Sequence, residues 1–384
     1  MNTASLEIAE RIGTRLCRDA LWSNGRCNWT GPYMEGETAA SGSLGPEIYS
    51  GTSGIALFLW RLAAATSDRI IRLTALGALR QALSKMPQSG CGLYSGGLGI
   101  LFAESEILGR CDEDAVLRQA APDGSLDIIY GSAGCIGALL HLHRQWGGLR
   151  LLEAAIQHGD LLLSEAVRMD DGWSWKTVPK SRNLTGFSHG TAGIGWALLE
   201  LWSVTGEDRF RAGALEAFRY ERSCFNPAER NWPDFREDLV SYPVAWCHGA
   251  GGIGFSRLRA WQILGDDESL EEARTAVAKV CDTLDASGNV SLCHGMGGNA
   301  DLLIYASQVL GEEGWLTAAQ AAGGQAAERY ERRDMPWSCG LPTEMEVPGL
   351  MLGVAGIGYF YLRLADPGRT PTVLLAGFVP ALRG

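Results

Sequence analysis

Two short stretches of the sequence place cysteine, histidine and glycine side by side. WCHGAGGIG begins at Trp246 and LCHGMGGNA begins at Leu292, and each Cys-His pair stands directly before a G-x-x-G. Thiolate and imidazole suit Zn²⁺, and glycine lets a backbone bend around an ion. Cys247 and Cys293 are 46 positions apart, which is too long for a zinc finger and suits ligands that the fold brings together. Ordinary buried side chains at a helix start are the alternative, and it is weaker for two equivalent copies than for one.

The G-x-x-G pattern recurs seven times, and each copy leads into an apolar helical segment. The copies begin at residues 51, 96, 131, 190, 249, 295 and 353. Amphipathic segments such as LEIAERIGTRLCRDALW precede the copies, with apolar residues at three- and four-residue spacing. The third copy has only a short partner, DEDAVLRQAA. This periodicity predicts an all-α fold of seven helical hairpins, each with one apolar inner helix and one amphipathic outer helix.

A row of such hairpins could form an open solenoid or a closed toroid. Both ends of the series are apolar, whereas an open array needs polar caps, so we expect closure into an α/α toroid. Short strands are expected in long connections such as MDDGWSWKTVPKSRNLTGF. No Pro- or Ser-rich linker divides the chain, which predicts one domain over residues 1–384.

In a toroid, the residues that precede each G-x-x-G lie together at one rim. Three consecutive repeats place a histidine directly before the glycine, at His189, His248 and His294, and two of them add a cysteine. Asp127 lies four positions before the third copy and is either a helix cap or a site carboxylate. The segment NWPDFR is expected to be a turn without clear chemistry of its own.

Composition limits the classes of function. The chain has 46% hydrophobic and 20% charged residues and a net charge of −11. This is a soluble globular composition, and the negative charge argues against non-specific nucleic-acid binding. The N-terminus lacks an export signal, and no run approaches the roughly 18 apolar residues of a membrane span. The ten cysteines are mostly expected to be buried thiols. We therefore expect a cytoplasmic protein without a transmembrane segment.

The repeats together with SHGTAG, WCHGAGG and LCHGMGGN resemble the lanthionine synthetase C-like proteins, the cyclases of lanthipeptide biosynthesis. LGPEIYSGTSGIALFLWRLA, YERSCFNPAERNWPDFR and PGLMLGVAGIGYFYLRLADP resemble the cyclase domain of the bifunctional class II synthetases. The resemblance implies a double α-toroid of seven inner and seven outer helices. The dehydratase part of those enzymes is not in this sequence. The chain is therefore expected to be a stand-alone relative or an excised domain, and a separate dehydratase is an expected partner.

The resemblance also implies the residues of the site. Zinc would be held by Cys247, Cys293 and His294, with the fourth position open to a substrate thiol. His189 of the S-H-G motif would transfer a proton, and Asp127 would be its neighbouring carboxylate.

Two positions depart from the stand-alone cyclases of the family. His248 stands where they carry tyrosine, and Pro243 stands where they carry arginine. We predict His248 as a substitute proton donor and Trp246 as a substrate contact. The departures leave the zinc ligands unaffected but leave open which groups assist protonation and hold the peptide.

The implied reaction adds a cysteine thiol of a dehydrated precursor peptide to dehydroalanine or dehydrobutyrine, which closes a thioether ring. Zinc would deprotonate the thiol, and an acid must protonate the resulting enolate at Cα. One alternative is the addition of a free thiol such as glutathione to dehydroamino acids. Another is a non-catalytic peptide-binding subunit, which would be expected to have lost a ligand or the histidine. An α/α-barrel glycosidase would need two opposed carboxylates and leaves the two C-H-G motifs unexplained.

Overall fold

The chain folds into two concentric rings of α-helices. The computed structural model describes residues 2–35, 38–88, 90–284, 288–341 and 345–375. Within these ranges it contains fourteen α-helices and three two-stranded antiparallel hairpins. The predicted toroid of seven inner and seven outer helices is confirmed.

The inner ring is made of the seven helices that follow the G-x-x-G copies, and each begins directly after the first glycine of its copy. They are α2 (Thr52–Thr66), α4 (Gly97–Leu108), α6 (Ser132–Trp146), α8 (Thr191–Thr205), α10 (Ala250–Leu264), α12 (Met296–Leu310) and α14 (Val354–Ala365). Every residue of α14 is buried. Among the described helices, none combines the length and the apolar character that crossing a membrane requires.

The second glycine of the motif allows the preceding loop to fold onto the start of its helix. A Cβ atom at Gly193 would lie 2.1 Å from the carbonyl oxygen of Phe187, and one at Gly298 would lie 1.9 Å from that of Leu292. Both distances are far inside van der Waals contact, so a larger residue would push the loop away. The motif therefore fixes the loops that carry the candidate site residues.

The outer ring contains the amphipathic helices. They are α1 (Thr3–Asp19), α3 (Arg69–Leu83), α5 (Glu113–Gln119), α7 (Leu149–Ser164), α9 (Asp208–Cys224), α11 (Asp267–Thr283) and α13 (Glu313–Tyr330). The short partner of the third copy is α5. Most inner helices pack most extensively against the outer helix that follows them, not the one that precedes them as the sequence order suggested. Helix α1 packs instead against α14, and the backbone N–H of Asn2 donates to the carbonyl of Ala365 at 2.8 Å, which closes the rings.

The strands form short hairpins in connections between helices, as expected. Strand β1 (Leu21–Ser23) pairs with β2 (Arg26–Asn28), β3 (Thr30–Glu35) with β4 (Thr38–Ser43), and β5 (Val167–Met169) with β6 (Gly172–Ser174). The last hairpin lies in the connection that leads from α7 to the loop of His189. None of the hairpins interrupts the helical rings.

Candidate metal centre and catalytic cavity

Backbone hydrogen bonds join the loops before the inner helices into a ring at one rim. The N–H to carbonyl pairs, at 2.8 to 3.2 Å, are Tyr49 to Tyr94, Ile128 to Ser188, Ser188 to Cys247, Cys247 to Cys293, Cys293 to Met351 and Met351 to Tyr49. Between the second and third repeats, the hydroxyl of Ser95 donates to the carbonyl of Ile129 at 2.9 Å. Residues from distant repeats thus become neighbours, and a backbone hydrogen bond joins the two cysteines of the C-H-G motifs.

A cavity of about 730 Å³ opens at this rim. Cys247, Cys293, His294, His189 and His248 all line it. The other lining residues are Glu47, Tyr49, Ser50, Ser95, Ile129, Tyr130, Ser188, Arg236, Pro243, Ala245, Gly340, Leu341 and Leu352. A larger groove of about 1100 Å³ lies between α1 and α13, but the residues described along it include neither cysteine nor histidine. The candidate chemistry is therefore at the rim.

Cys247, Cys293 and His294 form what we call the open cluster, because it lines the cavity. Their ligand atoms lie within 4.8 Å of one another. Atom Nε2 of His294 lies 2.8 Å from the carbonyl oxygen of Gly340. A proton on Nε2 satisfies that carbonyl and leaves the lone pair on Nδ1, which is how a partner group commonly orients a metal-binding histidine. Two sulfurs and a pre-oriented imidazole form a donor set that fits a metal ion.

The open cluster favours a thiolate. A hydrogen bond from the thiol of Cys293 lowers the pKa of Cys247 well below its ordinary value, and His294 contributes in the same direction. The same hydrogen bond, together with burial, raises the pKa of Cys293. The hydrogen bond to Cys247 also raises the pKa of His294. Because the thiolate is the form that binds metals, the negative charge on Cys247 prepares the cluster for a cation.

His189 and Asp127 form a hydrogen-bonded pair beside the open cluster. Nδ1 of His189 lies 2.6 Å from Oδ2 of Asp127. The other carboxylate oxygen accepts the backbone N–H of Tyr130 at 2.7 Å. Asp127 is buried, whereas the side chain of His189 keeps 22% of its surface exposed. The carboxylate thus caps its own turn and also orients the imidazole, so the two roles considered for Asp127 occur together.

His248 lines the cavity but is almost completely enclosed. Its ring centre lies 6.1 Å from that of His189. Neither ring nitrogen has a hydrogen-bond partner within the described part of the chain, and Nδ1 lies 3.8 Å from Oδ1 of Asp234. Burial lowers the pKa of His248 below its ordinary value. The neutral imidazole is therefore its form at neutral pH, which weakens it as a proton donor.

Trp246 lies in the packed core and does not line the cavity. It is fully buried, and its Nε1 donates to the carbonyl of Leu374 at 3.1 Å. Its ring contacts those of Tyr94 and Phe187, with ring centres 5.3 and 5.8 Å away. The structure does not bring this predicted substrate contact to the other site residues. Its position before Cys247 makes it part of the support for the loop.

Two cavity residues were missed by the sequence analysis. The hydroxyl of Tyr49 donates a hydrogen bond to Sγ of Cys293 at 2.9 Å. Arg236, the last residue of NWPDFR, lines the cavity, and its Nη2 lies 2.7 Å from Oδ2 of Asp234. The turn that was expected to lack chemistry therefore brings a cation to the cavity. The only signal available was its place in the connection that leads to Cys247.

A second group of ligand-type side chains lies outside the cavity lining. The ligand atoms of Cys91, Cys135 and His158 also lie within 4.8 Å of one another, and all three residues are buried, so we call them the closed cluster. Cysteine and histidine at this separation form a second group that could hold a metal. Burial raises the pKa of Cys135 well above its ordinary value and lowers the pKa of His158. Buried groups here therefore favour their neutral forms.

Comparison with known proteins agrees with the helical fold. A family model described as lanthionine synthetase C-like protein matches residues 42–375. The solved structure of a nisin cyclase superposes with a TM-score of 0.68 over 98% of this chain and 98% of that chain. The two sequences are 14% identical, so this likeness shows the fold alone.

Two curated relatives match parts of the chain. The glutathione S-transferase LANCL1 of Danio rerio is 24% identical over 247 residues, which cover 59% of this chain and 60% of that protein. The lacticin 481/lactococcin biosynthesis protein LcnDR2 of Lactococcus lactis subsp. lactis is 24% identical over 196 residues, which cover 48% of this chain and 21% of that protein. In both cases the match spans less than two thirds of the relative's length.

Proposed function

The chain belongs to the lanthionine synthetase C-like family, and from this membership we propose that it is a zinc-dependent lanthipeptide cyclase. The proposed reaction adds cysteine thiols of a dehydrated precursor peptide to dehydroalanine or dehydrobutyrine and closes lanthionine or methyllanthionine rings. One observation carries the proposal: the open cluster and His189, which Asp127 orients, line the same cavity. The cluster suits activation of a thiol and the histidine suits delivery of a proton, which are the two tasks of the reaction.

The donor set of the open cluster supports zinc as the metal. Two cysteine sulfurs and one histidine nitrogen suit Zn²⁺, and three protein ligands leave one position for a water or a substrate. A zinc ion bound there supplies the positive charge that lowers the pKa of an incoming cysteine thiol. Cys247, Cys293 and His294 are the proposed ligands. Their ligand atoms lie within 4.8 Å of one another at a cavity with room for a substrate.

His189 is the proposed proton donor. When the substrate sulfur bonds to the β-carbon, the electron pair of the double bond moves into an enolate, whose Cα must then be protonated. Because Asp127 interacts with Nδ1, Nε2 is the ring nitrogen that holds and delivers this proton. The hydrogen bond to the carboxylate also fixes the orientation of the ring for the transfer. His248 is proposed only as an accessory group, since burial keeps it neutral.

The cavity also contains a group that suits the developing negative charge. Arg236 lines it with a side chain that is 46% exposed and is fixed by Asp234. Its guanidinium N–H groups can donate to the substrate carbonyl oxygen, which becomes negative as the enolate forms. Arg236 thus brings a positive charge to the site although Pro243 replaces the arginine of stand-alone relatives.

A second candidate function is the addition of a free thiol such as glutathione to a dehydroamino acid. The relative named glutathione S-transferase matches 59% of the chain, a larger share than the 48% matched by LcnDR2. The same cluster and histidine would serve either reaction. A non-catalytic subunit is less consistent with this chain, because the complete ligand set and His189 are retained.

One assay separates these functions. The purified protein is incubated with zinc and a dehydrated peptide that contains one cysteine and one dehydroalanine, with and without glutathione. Cyclisation leaves the peptide mass unchanged and removes the thiol that iodoacetamide alkylates, whereas glutathione addition raises the mass by one glutathione and keeps that thiol. We expect loss of the alkylatable thiol, and no loss with the Cys247→Ala variant. An unchanged peptide in all samples would contradict both enzymatic functions.

A further inference from the structure

Tyr49 lies two repeats from Cys293 in the ring of loops, yet its side chain reaches that cysteine. Its hydroxyl donates a hydrogen bond to Sγ of Cys293 at 2.9 Å. Two backbone hydrogen bonds of 2.8 Å hold Tyr49 in place, one donated by its own N–H to Tyr94 and one accepted from Met351. The residue is therefore anchored to both neighbouring repeats at the point from which it contacts the sulfur.

The equivalent tyrosine of the second repeat makes a different contact. Tyr94, like Tyr49, stands two positions before the first glycine of its G-x-x-G. Its hydroxyl donates to the carbonyl of Val373 at 2.7 Å, and the residue is fully buried. Tyr49 lines the cavity. Two tyrosines at the same repeat position thus make different contacts. The hydroxyl of Tyr94 bonds to a carbonyl in the core, and that of Tyr49 bonds to a candidate metal ligand.

We propose that Tyr49 is a positioning residue of the metal centre, which acts by donating a hydrogen bond to the Cys293 thiolate. The inference rests on the proposed function, because it presumes a zinc ion in the open cluster. It adds a residue from the first repeat to a site whose proposed ligands come from the fifth and sixth repeats. It also gives the sulfur of Cys293 a role that differs from the role of the substrate sulfur.

The hydrogen bond has two consequences for Cys293. It fixes the direction of the sulfur, as partners of metal ligands commonly do. It also withdraws electron density from the sulfur, and the nucleophilicity of a thiolate falls as its basicity falls. The single O–H of Tyr49 is used by Cys293, so a substrate sulfur keeps its electron density. The hydrogen bond therefore makes the sulfur of Cys293 a weaker nucleophile than a substrate thiolate that lacks such a donor.

The test compares Tyr49→Phe with Tyr94→Phe in the full chain, without peptide. Each substitution removes one hydroxyl and keeps the ring, but only Tyr49→Phe removes the bond to a ligand. Zinc affinity is measured by competition with a chelator. We expect Tyr49→Phe to weaken zinc binding by about 10- to 100-fold, the usual effect of losing a partner of a metal ligand, and Tyr94→Phe to leave it unchanged.

The spectrum of the Co²⁺-substituted protein gives a readout that a merely structural role would not move. A hydrogen bond stabilises the sulfur lone pair, so its loss lowers the energy of thiolate-to-cobalt charge transfer. We expect that band at longer wavelength in Tyr49→Phe and unchanged in Tyr94→Phe. A monofluorinated tyrosine at position 49 donates more strongly and should shift the band to shorter wavelength. This second variant keeps the test decisive if Tyr49→Phe does not fold.

The outcomes separate this inference from the proposed function. The role of Tyr49 would be overturned if Tyr49→Phe bound zinc with the affinity of the parent and showed an unshifted charge-transfer band. An unshifted band in the fluorinated protein would overturn it as well. Either result would leave the cyclase proposal intact. A parent protein that binds zinc and shows the Tyr49 effect but does not modify a dehydrated peptide would overturn the proposed function alone. A parent that binds no metal would overturn both.

Discussion

The open cluster and the closed cluster contain the same kinds of side chain, with ligand atoms within 4.8 Å of one another in each, but their histidines make different hydrogen bonds. In the open cluster, Nε2 of His294 meets the carbonyl of Gly340 and leaves Nδ1 for a metal. In the closed cluster, Nε2 of His158 lies 2.6 Å from the carbonyl of Ala120 and 3.1 Å from Sγ of Cys135. The same nitrogen faces both the carbonyl and the thiol.

This difference decides which cluster suits a metal. A ring nitrogen that donates its proton to a carbonyl has no lone pair for an ion. The other nitrogen of His158 lies 3.0 Å from the hydroxyl of Ser132, so the imidazole is used as a hydrogen-bonding group within the core. Burial also separates the two clusters, since the open cluster lines the rim cavity whereas all three residues of the closed cluster are buried. Short distances between ligand atoms are therefore not enough, and the neighbouring carbonyl determines what the histidine can do.

The largest expected effect is the loss of metal from the open cluster. Cys293→Ala removes one of three ligands, so bound zinc should fall from about one equivalent per chain to near zero, and cyclisation should fall to background. Cys135→Ala is the matched control in the closed cluster and should keep the zinc of the parent. Elemental analysis of the purified variants measures both. Full zinc content in Cys293→Ala, or loss of zinc in Cys135→Ala, would contradict the assignment of the metal to the open cluster.

Removal of the proton donor should have the next largest effect. His189→Asn keeps all three metal ligands, so zinc should be retained while ring closure slows by about 10²–10⁴-fold if proton transfer limits the rate. His248→Asn should have a smaller effect, because burial lowers the pKa of His248. Single-turnover loss of alkylatable thiol measures both rates. A zinc-loaded His189→Asn protein that cyclises at the parent rate would rule out His189 as the essential donor.

The closed cluster should contribute to stability and not to activity. His158→Leu removes the contacts of the imidazole with the buried carbonyl of Ala120 and with the hydroxyl of Ser132, which should cost about 1–3 kcal/mol of the free energy of unfolding. Zinc content and the cyclisation rate should stay at the parent values. In His158→Gln, the side-chain amide can donate again and should recover part of the loss. Urea denaturation measures the change, and reduced zinc in His158→Leu would instead indicate a metal at the closed cluster.

The smallest expected effect is a change in pH dependence. Burial lowers the pKa of His158 below the value of about 6.5 that it has in the unfolded chain. Below pH 6.5 the unfolded state therefore binds this proton while the folded state does not, and folding stability falls as the pH falls. His158→Gln should reduce that slope between pH 6.5 and 5 by up to about 1.4 kcal/mol per pH unit. Equal slopes in parent and variant, from urea denaturation across this range, would show that His158 is not held neutral.

The inner ring and the open cluster could be predicted from the sequence because both occupy fixed positions relative to the G-x-x-G repeat. Each G-x-x-G marks the start of one inner helix, so Cys247 and Cys293 could be assigned to equivalent rim positions before their distance was known. The family resemblance pointed to Asp127 as the partner of His189, and the structure places them 2.6 Å apart. That all 384 residues form one domain stays a prediction.

Contacts outside the repeat register could not be predicted. The closed cluster draws one residue from a loop, one from inner helix α6 and one from outer helix α7, so Cys91, Cys135 and His158 share no common position in the repeats. The packing of α1 on α14 depends on closure of the whole ring. Trp246 is the opposite case. Its place beside the proposed ligand Cys247 in the sequence suggested that it lines the cavity, but its side chain is buried in the core.

Anomalous diffraction at the zinc edge, from crystals of the zinc-loaded protein, tests most directly whether the open cluster is the metal centre. Such data locate the ion without relying on activity. We expect one strong peak among Cys247 Sγ, Cys293 Sγ and His294 Nδ1, and no peak between Cys135 and His158. A peak at the closed cluster with none at the open cluster would contradict this expectation.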